Sequence, residues 1–221
     1  MTRTLIIGAS GGIGSALATG ATNRGHDVTG LSRSTHGLDI TDEAAIERAF
    51  KSLSDTYDLI ICATGALVID SAEPEKSISA LSPQALTQQF QTNAMGPALV
   101  LKHAVRVLPK DRPSCFAALS ARVGSIGDNH IGGWHSYRAA KAALNQLIHG
   151  AAIEIARTHK QATCVCVHPG TVETPFTAKY AGRHETVPAS VAAENILDLL
   201  AGLNPPDTGR FFDYAGKSVP W

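Results

Sequence analysis

Short apolar segments alternate with helical patterns along the whole chain, and this alternation limits the fold more than any other feature. Six segments have the length and apolar content of buried strands: residues 4–9, 26–32, 58–63, 114–120, 162–167 and 210–214. Most are separated by stretches with helical periodicity, the longest at residues 83–107 and 134–158. Strands joined by helical crossovers form right-handed βαβ units. The pattern therefore predicts an α/β fold, with helices on both faces of a mostly parallel, doubly wound sheet.

Size and charge exclude several classes of protein. The 221 residues contain no linker or repeat, so we expect a single domain covering residues 1–221. Lys plus Arg equals Asp plus Glu, at 19 each, which gives no indication of nucleic-acid binding. No apolar run approaches the ~20 residues needed to cross a bilayer. The apolar run at residues 5–7 is too short for a signal peptide, and we expect a cytoplasmic protein that does not bind membranes.

The four cysteines and nine histidines suggest no metal chemistry. Cys62, Cys115, Cys164 and Cys166 all lie in or beside apolar runs, where free cysteines usually serve as reduced core residues. No His and Cys residues have the spacing of a metal site. We therefore predict buried thiols and no metal.

A glycine-rich turn follows the first predicted strand and opens the first predicted helix. In residues 8–14, Gly8 permits a tight turn, Gly12 lets the backbone approach a diphosphate, and Gly14 lets the helix pack against the strand. The diphosphate would lie at the helix N-terminus, where free N–H groups and the helix dipole favour anions. This context predicts a dinucleotide site within residues 1–120, which leaves residues 121–221 for catalysis and substrate binding.

The end of the second predicted strand indicates which dinucleotide is bound. An acidic residue there would bind the ribose hydroxyls of NAD, but this chain has Ser32 and Arg33. A hydroxyl and a guanidinium suit a 2′-phosphate, so NADP(H) is the preferred cofactor and NAD(H) the other one considered. The alternative for Arg33 is an ordinary solvated surface residue.

Tyr137 and Lys141 lie four residues apart in the long predicted helix 134–158. Residues i and i+4 share one face of a helix, so the phenol and the ammonium are expected to be neighbours. A phenol has an ordinary pKa of about 10, and a nearby positive charge favours phenolate and lowers that pKa. The pair therefore predicts a proton donor that works near neutral pH.

These motifs, taken with the chain length, resemble the classical short-chain dehydrogenase/reductases over nearly the whole sequence. Asn93 is similar to the mid-helix asparagine of that family, and residues 169–174 to its Pro-Gly-x-x-x-Thr segment. Residues 62–65 stand where the family has Asn-Asn-Ala-Gly, so both asparagines are missing. Residues 120–138 are similar to the branch of sniffer-type carbonyl reductases and bacterial C-factor (C-signal) proteins. We expect a single Rossmann-type domain with a mostly parallel, seven-stranded sheet.

The resemblance implies reduction of an aldehyde or ketone to an alcohol by hydride transfer from NADPH. Tyr137 would give the proton, Lys141 would bind the nicotinamide ribose, and Asn93 would hold a water that resupplies protons. A serine would stabilise charge on the carbonyl oxygen. The family has two adjacent serines of which the second is catalytic, but here that position is Ala121. Ser125 has nearly the usual spacing to the tyrosine, and Ser120, at a strand end, is the alternative.

The predicted site residues fall into two groups. The catalytic group is Tyr137, Lys141, Asn93, Ser125 and Ser120. The cofactor group comprises Gly8, Ser10, Gly11, Gly12, Ile13, Gly14, Ser32, Arg33, Asp39, Ile40, Ala63, Thr64, Gly65, Asn93, Tyr137, Lys141, Pro169, Gly170, Val172 and Thr174.

The remaining expectations concern the substrate, assembly and a rival function. The short segment 174–188 would cover a rather open pocket, with Phe176 and Tyr180 offering apolar contacts. The helix carrying Tyr137 has apolar residues on more than one face, which predicts a homodimer or a D2 tetramer. The alternative function is a dinucleotide-binding signalling protein with little turnover, which the Ala121 and Cys62-Ala63 departures favour.

Overall fold

The computed structural model describes residues 1–174 and 186–221. The helices are α1 (Gly12–Asn23), α2 (Arg33–His36), α3 (Glu43–Lys51), α4 (Pro83–Phe90), α5 (Gly96–Ala104), α6 (His135–Ile155) and α7 (Ala189–Gly202). The strands are β1 (Arg3–Ile7), β2 (Asp27–Leu31), β3 (Leu59–Cys62), β4 (Ser114–Leu119), β5 (Ala162–His168), β6 (Val172–Glu173), β7 (Val187–Pro188) and β8 (Phe211–Asp213).

The main sheet has the strand order β2-β1-β3-β4-β5-β8, and every neighbouring pair is parallel. Its two faces bury separate apolar clusters, because successive side chains of a strand point to opposite faces. Leu5 and Ile7 enter one cluster, while Ile6, between them on β1, enters the other. The prediction of an α/β fold with both sheet faces covered by helices is confirmed.

The predicted number of strands is wrong: within the described residues the main sheet has six strands rather than seven. Only the single turn α2 lies between β2 and Leu38. A parallel crossover needs about a dozen residues or more, so the chain cannot return to pair beside β2. Leu38 and Ile40 are buried in the core without joining the sheet. Ile40 instead packs against Gly96 at the start of α5.

The helix predicted over residues 83–107 is interrupted in its middle. A π-helical turn (Gln91–Met95) separates α4 from α5, and a 3₁₀ turn (Val105–Val107) follows α5. π turns within α-helices occur frequently at functional sites. Asn93 is the central residue of this one, and both its side chain and Ala94 are buried.

All four cysteines are buried, as predicted, and none forms a disulfide. Within residues 1–174 and 186–221, no cluster of three or more His, Cys, Asp and Glu residues could hold a metal ion. In the same part of the chain, no helix has both the length and the apolar content needed to cross a membrane.

Candidate active site

The candidate site lies where the parallel strands end. The turn at Gly8 follows β1, Ala63 follows β3, Ser120 follows β4 and Pro169 follows β5. Because the strands are parallel, these segments meet at one edge of the sheet. In open α/β sheets this edge forms the ligand-binding crevice.

The glycine turn has the close packing that its sequence predicts. Gly8 has a φ of +90°, which favours glycine, and a Cβ added to Gly14 would clash with the Gly8 carbonyl oxygen. Helix α1 begins at Gly12 with no side-chain cap, because its N-cap residue is Gly11. A cap of that kind leaves the first backbone N–H groups of the helix for another acceptor. The cradle therefore fits a dinucleotide diphosphate.

The segment after β5 reaches the same helix start. A Cβ added to Gly12 would lie 2.7 Å from the Thr174 Cγ2 atom, so the two predicted cofactor residues are neighbours. Val172, in β6, is buried. Gly170 has a φ of +83° and packs against the ring of Tyr214. Phe176 and Tyr180, expected to contact the substrate, lie in residues 175–185, outside the described residues.

The residues predicted to read the adenosine end have local partners. Ser32 is buried, and its hydroxyl caps α2 by accepting the Thr35 N–H at 3.3 Å. Arg33 is exposed at the surface. Asp39 accepts bonds from the hydroxyl and N–H of Thr41, and these bonds lower the pKa of Asp39 below its ordinary value. Arg33 is thus the residue with the greatest freedom to meet a phosphate.

Four residues form what we call the lysine corner: Gly65, Asn93, Tyr137 and Lys141. Tyr137 and Lys141 are buried on α6, and the Lys141 Nζ atom lies 5.9 Å from the centre of the Tyr137 ring. The ammonium donates a hydrogen bond of 2.9 Å to the Leu119 carbonyl oxygen at the end of β4. The i, i+4 neighbourhood of phenol and ammonium is therefore present.

Asn93 is fixed in the corner by three hydrogen bonds. Its Nδ2 donates to the Ala66 carbonyl oxygen at 2.7 Å and to Gln89 Oε1 at 2.6 Å, and its Oδ1 accepts the Ala66 N–H at 3.0 Å. A Cβ added to Gly65 would lie 2.8 Å from Asn93 Oδ1 and 3.5 Å from Lys141 Nζ. Gln89 is a site residue that was not predicted from the sequence, although its position four residues before Asn93 indicates that the two side chains share a helix face.

Burial moves the ionisation of both α6 side chains toward their neutral forms. Desolvation lowers the pKa of Lys141 to about 8 and raises that of the Tyr137 phenol. The expected lowering of the tyrosine pKa is therefore not produced by the surrounding side chains. It would have to come from a charge brought by the cofactor.

The two candidate serines lie in what we call the serine segment, residues 120–129. The Ser120 hydroxyl donates to Asn145 Oδ1 at 2.6 Å. The Ser125 hydroxyl donates to the Pro220 carbonyl oxygen at 2.6 Å and accepts the Asp128 N–H at 3.1 Å. Both serines are buried and each hydroxyl donates its hydrogen to a protein acceptor, so neither donates to a carbonyl oxygen of a substrate in this arrangement.

Comparisons with known proteins establish the class of the chain. Residues 28–198 match a short-chain dehydrogenase family model whose description is enoyl-(acyl carrier protein) reductase. Since this match covers more than half of the chain, the protein belongs to the short-chain dehydrogenase/reductase family of oxidoreductases. The predicted family membership is confirmed.

Two relatives illustrate the range of that family. The chain is 27% identical to 1-hydroxy-2-glutathionyl-2-methyl-3-butene dehydrogenase of Rhodococcus sp. (strain AD45), over 100% of both chains. It is 35% identical to C-signal of Myxococcus xanthus over 136 residues, which cover 62% of this chain and 78% of the relative. The second match agrees with the predicted C-factor-like branch.

Solved structures agree with the fold. A short-chain dehydrogenase/reductase from Burkholderia multivorans with bound NADP has a TM-score of 0.85 at 27% identity and covers 100% of this chain and 99% of that one. The carbonyl reductase Sniffer of D. melanogaster has a TM-score of 0.82 at 20% identity, with 100% of both chains covered. At that identity the second likeness concerns the fold alone.

Proposed function

We propose that the protein is an NADPH-dependent reductase that converts an aldehyde or ketone to an alcohol, with Tyr137 as the proton donor. The observation that carries the proposal is the lysine corner, in which Tyr137, Lys141 and Asn93 are buried together at the carboxyl edge of the sheet. A protein that only senses a dinucleotide does not need a buried phenol beside a buried ammonium.

Each residue has a defined task in this mechanism. When bound, the nicotinamide cofactor supplies the hydride and, once oxidised, a positive charge. Tyr137 donates its phenolic proton to the carbonyl oxygen. Lys141 stabilises the resulting phenolate and binds ribose hydroxyls. Tyr137 regains its proton by way of Lys141, which is resupplied from solvent. Asn93 has one Oδ1 lone pair left after its three bonds, which can hold the water that links Lys141 to solvent.

The carbonyl oxygen would be polarised by Ser125 or, failing that, Ser120. Each hydroxyl must first exchange its present acceptor, Pro220 or Asn145, for the substrate. We propose this serine role with Ser125 preferred, as its spacing to Tyr137 suggests. If neither hydroxyl makes this exchange, the carbonyl is poorly polarised and turnover is slow.

The test of the function is NADPH oxidation against a panel of aldehydes and ketones. Tyr137→Phe should lower kcat by about 100-fold to about 10,000-fold, because the transferred proton is lost. Tyr57→Phe is the matched control, since it removes a buried tyrosine hydroxyl that bonds Thr29 instead. Wild-type turnover no higher than that of Tyr137→Phe across the whole panel would refute the reductase.

The cofactor preference rests on Arg33 and is supported by the NADP-bound relative from Burkholderia multivorans. Arg33→Ala should raise the KM for NADPH by about tenfold or more and leave that for NADH unchanged, since only NADPH carries the 2′-phosphate. Arg48→Ala, which removes another exposed guanidinium, is the control. Equal KM values for the two cofactors in the wild type would contradict the assignment.

A second candidate function is dinucleotide-binding signalling with little turnover. It is favoured by the committed hydroxyls of the serine segment, by Ala121, and by the 35% identity to C-signal. The reductase assay separates the two candidates, because a signalling protein would bind NADPH tightly without oxidising it in the presence of any carbonyl.

We also propose that the chain is one domain that assembles as a homodimer or a D2 tetramer. Leu144, Ile148 and Ile155 of α6 are buried in the core, whereas Leu147 and Ile153 on the same helix are 41% and 52% exposed. Leu86 and Phe90 of the neighbouring α4 are also exposed. Exposed apolar side chains on two neighbouring helices are suited to contact with a second copy of the chain. A monomer in light scattering at micromolar concentration would contradict the assembly.

A further inference from the structure

The helix that carries Tyr137 begins from an unfavourable backbone conformation. Gly132, Gly133 and Trp134 have consecutive φ values of +69°, +67° and +52°. Glycine adopts this left-handed region readily, but for Trp134 it costs about 1–2 kcal/mol. Trp134 is also the N-cap of α6, and its side chain forms no capping hydrogen bond. Something outside the helix must therefore hold its first turn in place.

Glu75, in the loop between β3 and α4, supplies the missing cap. Its backbone oxygen accepts the Trp134 N–H at 2.5 Å, and its Oε2 atom accepts the Ser136 N–H at 3.2 Å. The Ser136 contact bridges 61 positions of sequence. One residue thus accepts the N–H of the N-cap residue Trp134 and the N–H of Ser136 in the first turn of α6, immediately before Tyr137.

The Glu75 side chain is 6% exposed, and its Oε1 atom is buried with no hydrogen-bond partner. Burial alone would raise the pKa of the Glu75 carboxyl, but hydrogen bonds from Ser136 hold it below the ordinary value. A charged carboxylate at a helix N-terminus is also favoured by the helix dipole. A buried charge that is only partly hydrogen-bonded lowers the stability of the fold. The hydrogen bonds that Glu75 makes to the start of α6 must offset this loss.

The ring of Trp134 connects this cap to the phenol. It lies edge-on to the Tyr137 ring, with the ring centres 6.3 Å apart. Movement of the Trp134 backbone would therefore shift the ring packed against Tyr137. Movement at Ser136 would shift the next residue, which is Tyr137 itself.

We propose that Glu75 is a positioning residue that caps α6 across the fold and so holds the Tyr137 phenol in its reactive place. The proposal rests on the proposed reductase function, since it assigns the capped turn to catalysis. It adds that the chemistry depends on a carboxylate outside the lysine corner, which acts through the start of α6. Misplacing a reacting group by about 1 Å can lower a rate by about 100-fold, which is the scale expected here.

The test uses Glu75→Ala and Glu75→Gln in a Trp221→Phe background. The chain has two tryptophans, so Trp134 is then the sole indole and its emission reports the start of α6. Glu154→Gln is the matched control, because Glu154 is an exposed glutamate near the other end of the same helix. Glu75→Gln keeps the shape and an acceptor oxygen, so it provides a folded variant if Glu75→Ala does not fold.

The measurements are kcat and KM for NADPH and for the best panel carbonyl, Trp134 emission, and hydrogen exchange of residues 132–138. We expect kcat to fall by about 10-fold to about 100-fold in Glu75→Ala and by less in Glu75→Gln. The KM for NADPH should stay within about twofold, because the cofactor cradle is built from other residues. Exchange should accelerate and the Trp134 emission should shift, while Glu154→Gln resembles the parent.

Two results would overturn the proposal. One is an unchanged kcat in Glu75→Ala that is correctly folded. The other is unchanged Trp134 emission and unchanged exchange in both Glu75 variants. The emission and exchange measurements need no turnover, so they decide whether Glu75 holds the start of α6 even if the wild type reduces no carbonyl. Absence of carbonyl reduction by the wild type would refute the proposed function instead.

Discussion

The lysine corner and the serine segment face the same edge of the sheet but are held in place differently. In the corner, the Asn93 side chain bonds the backbone of Ala66, which follows Gly65. The Lys141 ammonium donates to the Leu119 carbonyl oxygen at the end of β4. In the serine segment, the hydroxyls of Ser120 and Ser125 are used to attach the segment to α6 and to the residues around Pro220. The difference indicates that the proton-donating groups are preassembled, whereas the groups that would polarise a carbonyl serve in packing.

The largest effect should come from breaking the preassembled side at its glycine turn. Gly14→Ala places a methyl group against the Gly8 carbonyl group. Because this group is part of the backbone, it cannot move without opening the turn. We expect NADPH binding to weaken by more than about 100-fold, because the diphosphate cradle is lost. Isothermal titration with NADPH measures this loss.

Gly150→Ala is the control for that substitution, because no atom lies within 4 Å of the added methyl group. Gly150 is inside α6, so alanine there should stabilise the protein by about 0.5–1 kcal/mol and leave NADPH affinity unchanged. Similar NADPH affinities for the two alanine variants would show that the turn does not hold the cofactor.

The next largest effect concerns the charge buried in the lysine corner. Burial lowers the pKa of Lys141 from 10.5 to about 8, so between these pH values the folded protein binds fewer protons than the unfolded chain. The free energy of unfolding should therefore rise with pH across this window. Relative to Lys141→Met, the wild type should gain about 2 to 3 kcal/mol between pH 7 and pH 10.

Urea unfolding of both proteins at the two pH values measures this change. Subtracting the free energy of unfolding of Lys141→Met from that of the wild type cancels the contributions of the other titrating groups. Lys160→Met is the control, since Lys160 is exposed. A wild-type curve parallel to that of Lys141→Met would mean that the ammonium is solvated, and that the corner is more open than its burial indicates.

The parts of the site that sequence analysis predicted depend on neighbours along the chain. Tyr137 and Lys141 share a helix face, and the glycine turn needs only β1 and α1 around it. The missed features depend on distant contacts. Ser125 and Pro220 are 95 positions apart, and Glu75 and Ser136 are 61 apart. No local pattern encodes such pairs, because they arise from how loops pack at the edge of the sheet.

The number of strands is a different case, because the short distance along the chain between β2 and residue 38 can be read from the sequence. The seven-stranded sheet was expected from the family resemblance, without a segment assigned to the seventh strand. The apolar residues 38–40 could not have paired beside β2, because α2 provides only one helical turn for the crossover. The apolar character of Leu38 and Ile40 instead reflects burial in the core beside α5.

The smallest expected effect tests the serine segment. Ala121 occupies the position of the family's second serine and is the N-cap of the 3₁₀ turn Arg122–Gly124, with no side-chain cap. Ala121→Ser adds a hydroxyl beside the site without removing an existing bond. If the segment lacks a group that polarises the carbonyl, this variant should raise kcat by about tenfold. This gain is smaller than the loss of about 100-fold or more in kcat that follows removal of one such hydrogen-bond donor from an enzyme that has it.

Ser125→Ala and Ser120→Ala complete the comparison and need both kinetic and stability measurements. Each removes a buried hydroxyl that satisfies another polar group, so each should lower the free energy of unfolding by about 1–3 kcal/mol. If Ser125 is catalytic as proposed, its loss lowers kcat beyond this structural effect and Ala121→Ser restores part of the rate. If Ala121→Ser leaves kcat unchanged while Ser125→Ala abolishes it, Ser125 must leave Pro220 during turnover, and the serine segment would be as much a catalytic element as the lysine corner.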